Sequence, residues 1–168
     1  MLQIAMANRT TQPLNIAAAH RHFSSDCFNK TWGLIEKADR TSDEDEEMVV
    51  CALASLWHWM QRTDHTNLNL SVGHWQVARV YSLVGQGEIA ILHAKRSLEL
   101  AEGNEPFYVG SAHEAVARAA AVLADVVTFQ THLKLAKAFA ENVSDAGDRA
   151  VLEADLRILE GGRRESHY

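Results

Sequence analysis

Apolar residues along this chain recur three and four positions apart, and no run alternates with a period of two. That is the pattern of amphipathic helices, not of half-buried strands. The spacing predicts seven helices. The first covers about 14–38 on a loose stripe of His20, Phe23, Cys27, Leu34 and Ile35, with room for a break near Ser24-Ser25-Asp26. The second starts at Thr41, which with Glu44 three residues on fits a capping box, and carries Met48, Val49, Ala52, Leu53, Leu56, Trp57 and Met60. A polar loop over 63–67 leads to a third helix over about 70–84. Gly85-Gln86-Gly87 makes a turn into a fourth over about 88–102, closed by Gly103-Asn104, residues suited to a left-handed cap. Pro106 opens a fifth helix over about 107–123, and a sixth covers about 126–141. The seventh follows an N-cap at Ser144-Asp145, carries Val151, Leu152, Leu156 and Leu159, and stops at Gly161.

Composition narrows the picture. The chain has 168 residues, 47% hydrophobic and 23% charged, with only two prolines. This is the balance of an ordinary globular domain, and residues 1–160 read as one α-helical domain with a flexible tail over 161–168. The net charge of −6 argues against nucleic acid and anionic membranes as partners. The start has no basic, apolar leader pattern, and no stretch approaches the roughly 18 apolar residues of a membrane span. Cys27 and Cys51 stand alone. With no Cys-x-x-Cys spacing they read as reduced thiols of a cytoplasmic protein.

The chain also repeats itself. His74-Trp75-Gln76-Val77-Ala78-Arg79 returns 39 residues later as His113-Glu114-Ala115-Val116-Ala117-Arg118. Each copy opens a helical hairpin that turns at Gly85 or Ala124.

The segment from Trp75 to Leu100 resembles a tetratricopeptide repeat, with Ala78, Tyr81, Gly85, Ala90, Ala94 and Ser97 at that repeat's packing positions. Ala117, Ala120, Ala124, Phe129, Leu133 and Ala136 match in the second unit. Glu102 replaces the usual closing proline, and the 39-residue spacing exceeds the family's period of about 34. The resemblance implies antiparallel helical hairpins stacked as a short right-handed array, with the first two helices as a degenerate pair and the seventh as a cap. The chain also resembles a family of uncharacterised bacterial repeat-like helical proteins, through Phe28-Asn29-x-x-Trp32, Arg40-Thr41-x-x-Glu44-Asp45, Trp75-Gln76-x-x-Arg79-Val80-Tyr81 and Ala117-Arg118-Ala119. That likeness implies the fold and no chemistry.

Candidate chemistry is sparse. The acidic run 43–47 reads as a first helical turn facing water. Nine histidines are many for this length, and His58, His74 and His113 could converge on one side of the array. No His-x-x-x-His pair with a supporting acid occurs, so neither a metal site nor a cofactor is expected. No nucleophile elbow or phosphate loop occurs either, and no catalytic residue is expected. The better candidate is a groove on the first helix of each hairpin, with Trp75 and Arg79 in one unit, Glu114 and Arg118 in the next, and His58 beside them. Tryptophan next to arginines is a surface that anchors partners, and paired arginines suit carboxylate or phosphate. Arg79 could equally pair with Glu114. The expected function is a non-enzymatic scaffold that binds a protein or peptide. The alternative is a metal-binding or hydrolytic enzyme that uses histidines. The aromatic N-terminal half, with Trp32, Trp57 and Trp59, reads as the interface of a possible homodimer.

Overall fold

The computed structural model describes residues 15–162. Seven helices follow one another: α1 (Ile16–Ile35), α2 (Ser42–Gln61), α3 (Asn67–Leu83), α4 (Gly87–Ala101), α5 (Pro106–Val122), α6 (Val126–Ala140) and α7 (Ala146–Gly162). Among the described residues there is no strand, and no helix is long and apolar enough to cross a membrane.

Local chemistry explains most boundaries. Thr41 and Glu44 close a reciprocal capping box at the start of α2. Thr66 and Asn69 do the same for α3, so α3 begins three residues earlier than its apolar stripe predicts. Asn15 caps α1 by accepting the Ala18 amide. That helix runs unbroken through Ser24, whose hydroxyl donates to the Arg21 carbonyl. At α7 the cap is Asp145, which accepts the Asp148 amide, rather than Ser144. α7 runs on through Gly161 and Gly162, the first two residues of the expected tail, and the remaining residues, 163–168, lie outside the described residues.

Sequential helices pair as α1–α2, α3–α4 and α5–α6, with further contacts of α3 and α4 on α5 and of α7 on α5 and α6. The central core joins Ala78, Ala90, Ile91, Ala94, Ala115, Val116 and Ala119. Five of these seven side chains are alanine, so little volume separates the three helices there. Met48, Ala52, Leu56, Val77 and Val80 tie α2 to α3. Ala136, Ala140, Val143, Leu152 and Leu156 tie α6 to α7. Close approach is tightest at Gly110 of α5, where a Cβ would stand 2.7 Å from Leu152 Cδ2 and 3.1 Å from Phe139 Cβ.

The two copies of the sequence motif end their first helices alike. Gly85 at φ 76° and Ala124 at φ 55° both occupy the left-handed region. The next amides, Gln86 and Asp125, donate back to Tyr81 O and Ala120 O at 2.8 and 2.9 Å. Glycine takes this conformation freely, whereas alanine is strained in it.

Candidate functional site

The candidate site forms where α1, α3, α5 and α7 meet. Gln76 Nε2 donates to Phe28 O at 3.0 Å, and the Trp32 and Trp75 rings lie 5.5 Å apart. These contacts bind α3 to α1. From α7, Asp155 reaches across to Arg79 of α3 and accepts two hydrogen bonds of 2.8 Å, from Nη1 and Nη2. Arg118 of α5 stands 3.7 Å from the same carboxylate, while its Nε donates to Glu114 Oε1 at 2.8 Å and its Nη2 to that same oxygen. Thus the arginines at equivalent positions of the two motif copies converge on one carboxylate. Two guanidinium groups face two carboxylates, so the cluster is electrically balanced. Burial opposes the charge of Arg79, but the Asp155 and Glu114 carboxylates more than offset it and hold its pKa above the ordinary value.

Next to this cluster lies a cavity of about 200 Å³, bordered by Trp32, Trp75, Phe107, Tyr108, Leu152 and Asp155, among others. Its wall is mainly aromatic and aliphatic, as ligand pockets usually are. The Ser71 and Ser97 hydroxyls on its border each donate to the other residue's carbonyl, at 2.8 and 2.9 Å. Four buried polar atoms around the site have no partner among the described residues: Trp75 Nε1, Gln76 Oε1, Arg79 Nε and Glu114 Oε2. A buried polar group without a partner is costly, and Trp75 is also a residue of the cavity wall. The Arg79 guanidinium sits 5.6 and 5.7 Å from the Trp32 and Trp75 ring centroids, so the cation–π position there is filled by the chain.

Trp75, Arg79, Glu114 and Arg118 are therefore brought together, but not as an open charged groove. Glu114 is 1% exposed and Arg118 9%, and the partner of Arg79 is Asp155 rather than Glu114. His58 is elsewhere, facing His20 across the α1–α2 hairpin. Of the expected interface residues, Trp32 is half-buried in the cavity wall and Trp59 lies under the Arg62 guanidinium at 3.7 Å. Trp57 alone of the three is exposed, at 52%. Sequence reasoning missed Asp155, Phe107 and Tyr108. Asp155 is 76 positions from Arg79, and no local pattern connects them.

Among the described residues, His58, His74 and His113 do not meet in one cluster. Each hairpin pairs two, one from each helix, through their Nδ1 atoms: His20–His58 at 2.8 Å, His74–His93 at 2.9 Å and His113–His132 at 2.9 Å. Burial, then the partner ring, pushes His74 and His113 from 6.5 down to about 4. Burial also lowers His58, His93 and His132. The signal for two of these pairs was in the sequence, since His93 and His132 each follow their partner by 19 residues. Among the described residues, no group of three or more His, Cys, Asp or Glu could hold a metal. Cys27 and Cys51 are free and half-buried, and burial pushes both thiols up, away from the reactive thiolate. No protein-family model, no curated protein and no solved structure matches the chain.

Proposed function

We propose that the chain is a non-enzymatic helical-repeat scaffold, its hairpins stacked in a right-handed tetratricopeptide-like array, that binds a protein or peptide. The aromatic cavity between α1, α3, α5 and α7 supports this reading. It is large enough for one apolar side chain, and the Trp32, Trp75 and Phe107 rings border it. Recognition runs through shape and apolar burial rather than charge, because Asp155 already engages Arg79 and Arg118. Among the described residues no histidine borders the cavity, and its carboxylate, Asp155, already accepts two hydrogen bonds from Arg79.

A random peptide library panned on the immobilised full-length protein tests the proposal. Enriched peptides should share one aromatic or aliphatic anchor. Their affinity should fall at least about tenfold, the cost of roughly 1.4 kcal/mol at a buried anchor, for Trp75→Ala and Tyr108→Ala. Peptides that bind these variants as well as the parent would overturn it.

A further inference from the structure

The three histidine pairs are not explained by partner binding at the cavity. In each, two Nδ1 atoms point at one spot 2.8–2.9 Å across, so only one of the two can carry the proton between them. The other presents a lone pair. We infer that these pairs are two-donor sites for a soft monovalent d10 cation, of the copper(I) class, held between the two Nδ1 atoms.

Ligand number selects the ion. Zinc in proteins asks for three or four donors, and among the described residues the pairs belong to no group of three or more His, Cys, Asp or Glu that could hold a metal. A two-coordinate ion needs no more than the pair supplies, and imidazole is a suitable donor for copper. Two metal–imidazole bonds of about 2 Å each in line place the nitrogens about 4 Å apart, so each ring must give way by about 0.6 Å. The surroundings favour a single charge. Tyr81 stacks on His93 and Phe139 on His113, while Trp57 and Phe23 flank the His20–His58 pair. The charged neighbours acting on the two inner pairs are Arg96 and Glu99 beside His74, and Lys95 beside His132. Mostly cationic neighbours and apolar rings penalise a dication far more than a monocation.

Protons and charge balance without a further reactant. The cation enters as a unit charge. The imidazole that held its proton on Nδ1 carries it on Nε2 instead, and both rings stay neutral. Burial helps, because it keeps the rings free of an extra proton at neutral pH. Recurrence strengthens the case. Two pairs sit 39 residues apart within the copied motif, but His20–His58 lies outside that register, and its members are 38 positions apart rather than 19. A pair inherited only with the motif would occur twice, whereas it occurs in every hairpin.

The test is titration of untagged, full-length protein with silver(I), an air-stable d10 probe, in chloride-free buffer near pH 7.5. Calorimetry and native mass spectrometry count the bound ions. Because thiols compete for such ions, the protein carries Cys27→Ser and Cys51→Ser. His58→Gln, His93→Gln and His132→Gln should each remove one equivalent. In imidazole nitrogen spectra the silver-induced shifts should fall on Nδ1 of the six paired rings. Glutamine can still hydrogen-bond across the hairpin, and unchanged helical circular dichroism of each variant shows that it folds. Silver should raise the melting temperature of the parent and progressively less that of variants lacking pairs. Failure of the parent to bind, or a count unmoved by the three substitutions, overturns the inference.

Discussion

α1 and α5 are both first helices of hairpins, yet they are buried to opposite extents. α5 lies against α3, α4, α6 and α7, and it is buried without a gap from Ala112 to Ala120. α1 packs on α2 and buries only Ser24 and Thr31. The polar residues show the consequence. Within α5, Glu114 and Arg118 lost water together and had to pair. In α1 the buried hydroxyls donate within their own helix, Thr31 to Cys27 O and Ser24 to Arg21 O, and Ser24 also accepts from Arg62. The apolar side chains show the reverse. Phe23, Val50, Leu53, Trp57 and Met60 of the N-terminal hairpin stay exposed. Cooperative stability therefore resides around α5, whereas α1–α2 carries Phe23 and Trp57, the exposed Phe and Trp side chains among the described residues.

The sharpest way to break this contrast is to orphan a charge inside α5. Glu114→Ala leaves Arg118 buried beside Arg79 with only Asp155 between them, and should cost about 3–5 kcal/mol. Urea denaturation measures it. Glu47→Ala, which removes the exposed Lys30–Glu47 pair of the N-terminal hairpin, should leave the urea midpoint unchanged. Equal effects would mean that burial does not separate the two regions.

Acid should also act first on the inner hairpins. His74 and His113 have folded pKa values of about 4 against an ordinary 6.5. Between those values the unfolded chain takes up protons that the folded chain refuses. Stability is therefore full above about pH 6.5 and falls as the pH drops toward 4, by about 3 kcal/mol for His113 alone. Glu44, Asp64 and Asp125 are held below their ordinary carboxylate values, so their loss comes at lower pH. Urea midpoints at pH 7 and 4.5 read the histidine window. His113→Gln should shrink the loss but not abolish it, because His74 still contributes, and a parent with equal midpoints would refute the assignment.

Ala78→Leu probes the small-residue crossing of α3 with α4 and α5. Ala78 is 0% exposed among Ala90, Ala94 and Ala115, so three added carbons should cost about 1–3 kcal/mol. The same change at Ala17, exposed on α1, should be neutral. A change below about 0.5 kcal/mol at Ala78 would contradict this packing.

The helices were legible in sequence wherever periodicity and caps coincided, as at Thr41 with its Glu44. The start of α3 was not, because Thr66 is answered by Asn69 instead of the glutamate or glutamine that marks a capping box. Trp75, Arg79, Glu114 and Arg118 could be grouped beforehand because the 39-residue offset set them in equivalent places. Their partner could not. The polar face of the seventh helix is written in Arg149, Glu153, Arg157 and Glu160, whereas Asp155 turns inward to the arginines, and only the crossing of α7 over α5 brings it there. The Trp32 side chain likewise has no sequence mark that assigns it to a cavity rather than to an interface.

A smaller effect separates the two motif copies themselves. Ala124 holds the left-handed conformation that Gly85 holds in the first copy. Ala124→Gly removes that strain and should stabilise the protein by about 1 kcal/mol. Thermal melting reads this as a rise of a few degrees. Gly85→Ala should lower the melting temperature by a similar amount, and a fall for Ala124→Gly would show that the turn is not strained.

The least costly substitution for folding is on the exposed face of the N-terminal hairpin, and it bears on assembly. Val50, Leu53, Trp57 and Met60 follow one another at steps of three, four and three along α2 and are all exposed, with Phe23 of α1 beside them through His58. That spacing is the seam by which helices pair with other helices. A two-fold contact between copies would bury the same stripe on both sides. Light scattering at micromolar concentration should accordingly give twice the 18.6 kDa chain mass. Trp57→Ser should return it to one chain while changing the folding stability of the separated chain by no more than about 0.5 kcal/mol. Trp32→Ala should leave the dimer intact, because that ring is spent against Trp75, and should instead weaken whatever enters the cavity. A single-chain mass for the parent, or a dimer indifferent to Trp57→Ser, would show that the stripe is plain surface and that the contrast between α1–α2 and α5 ends at stability.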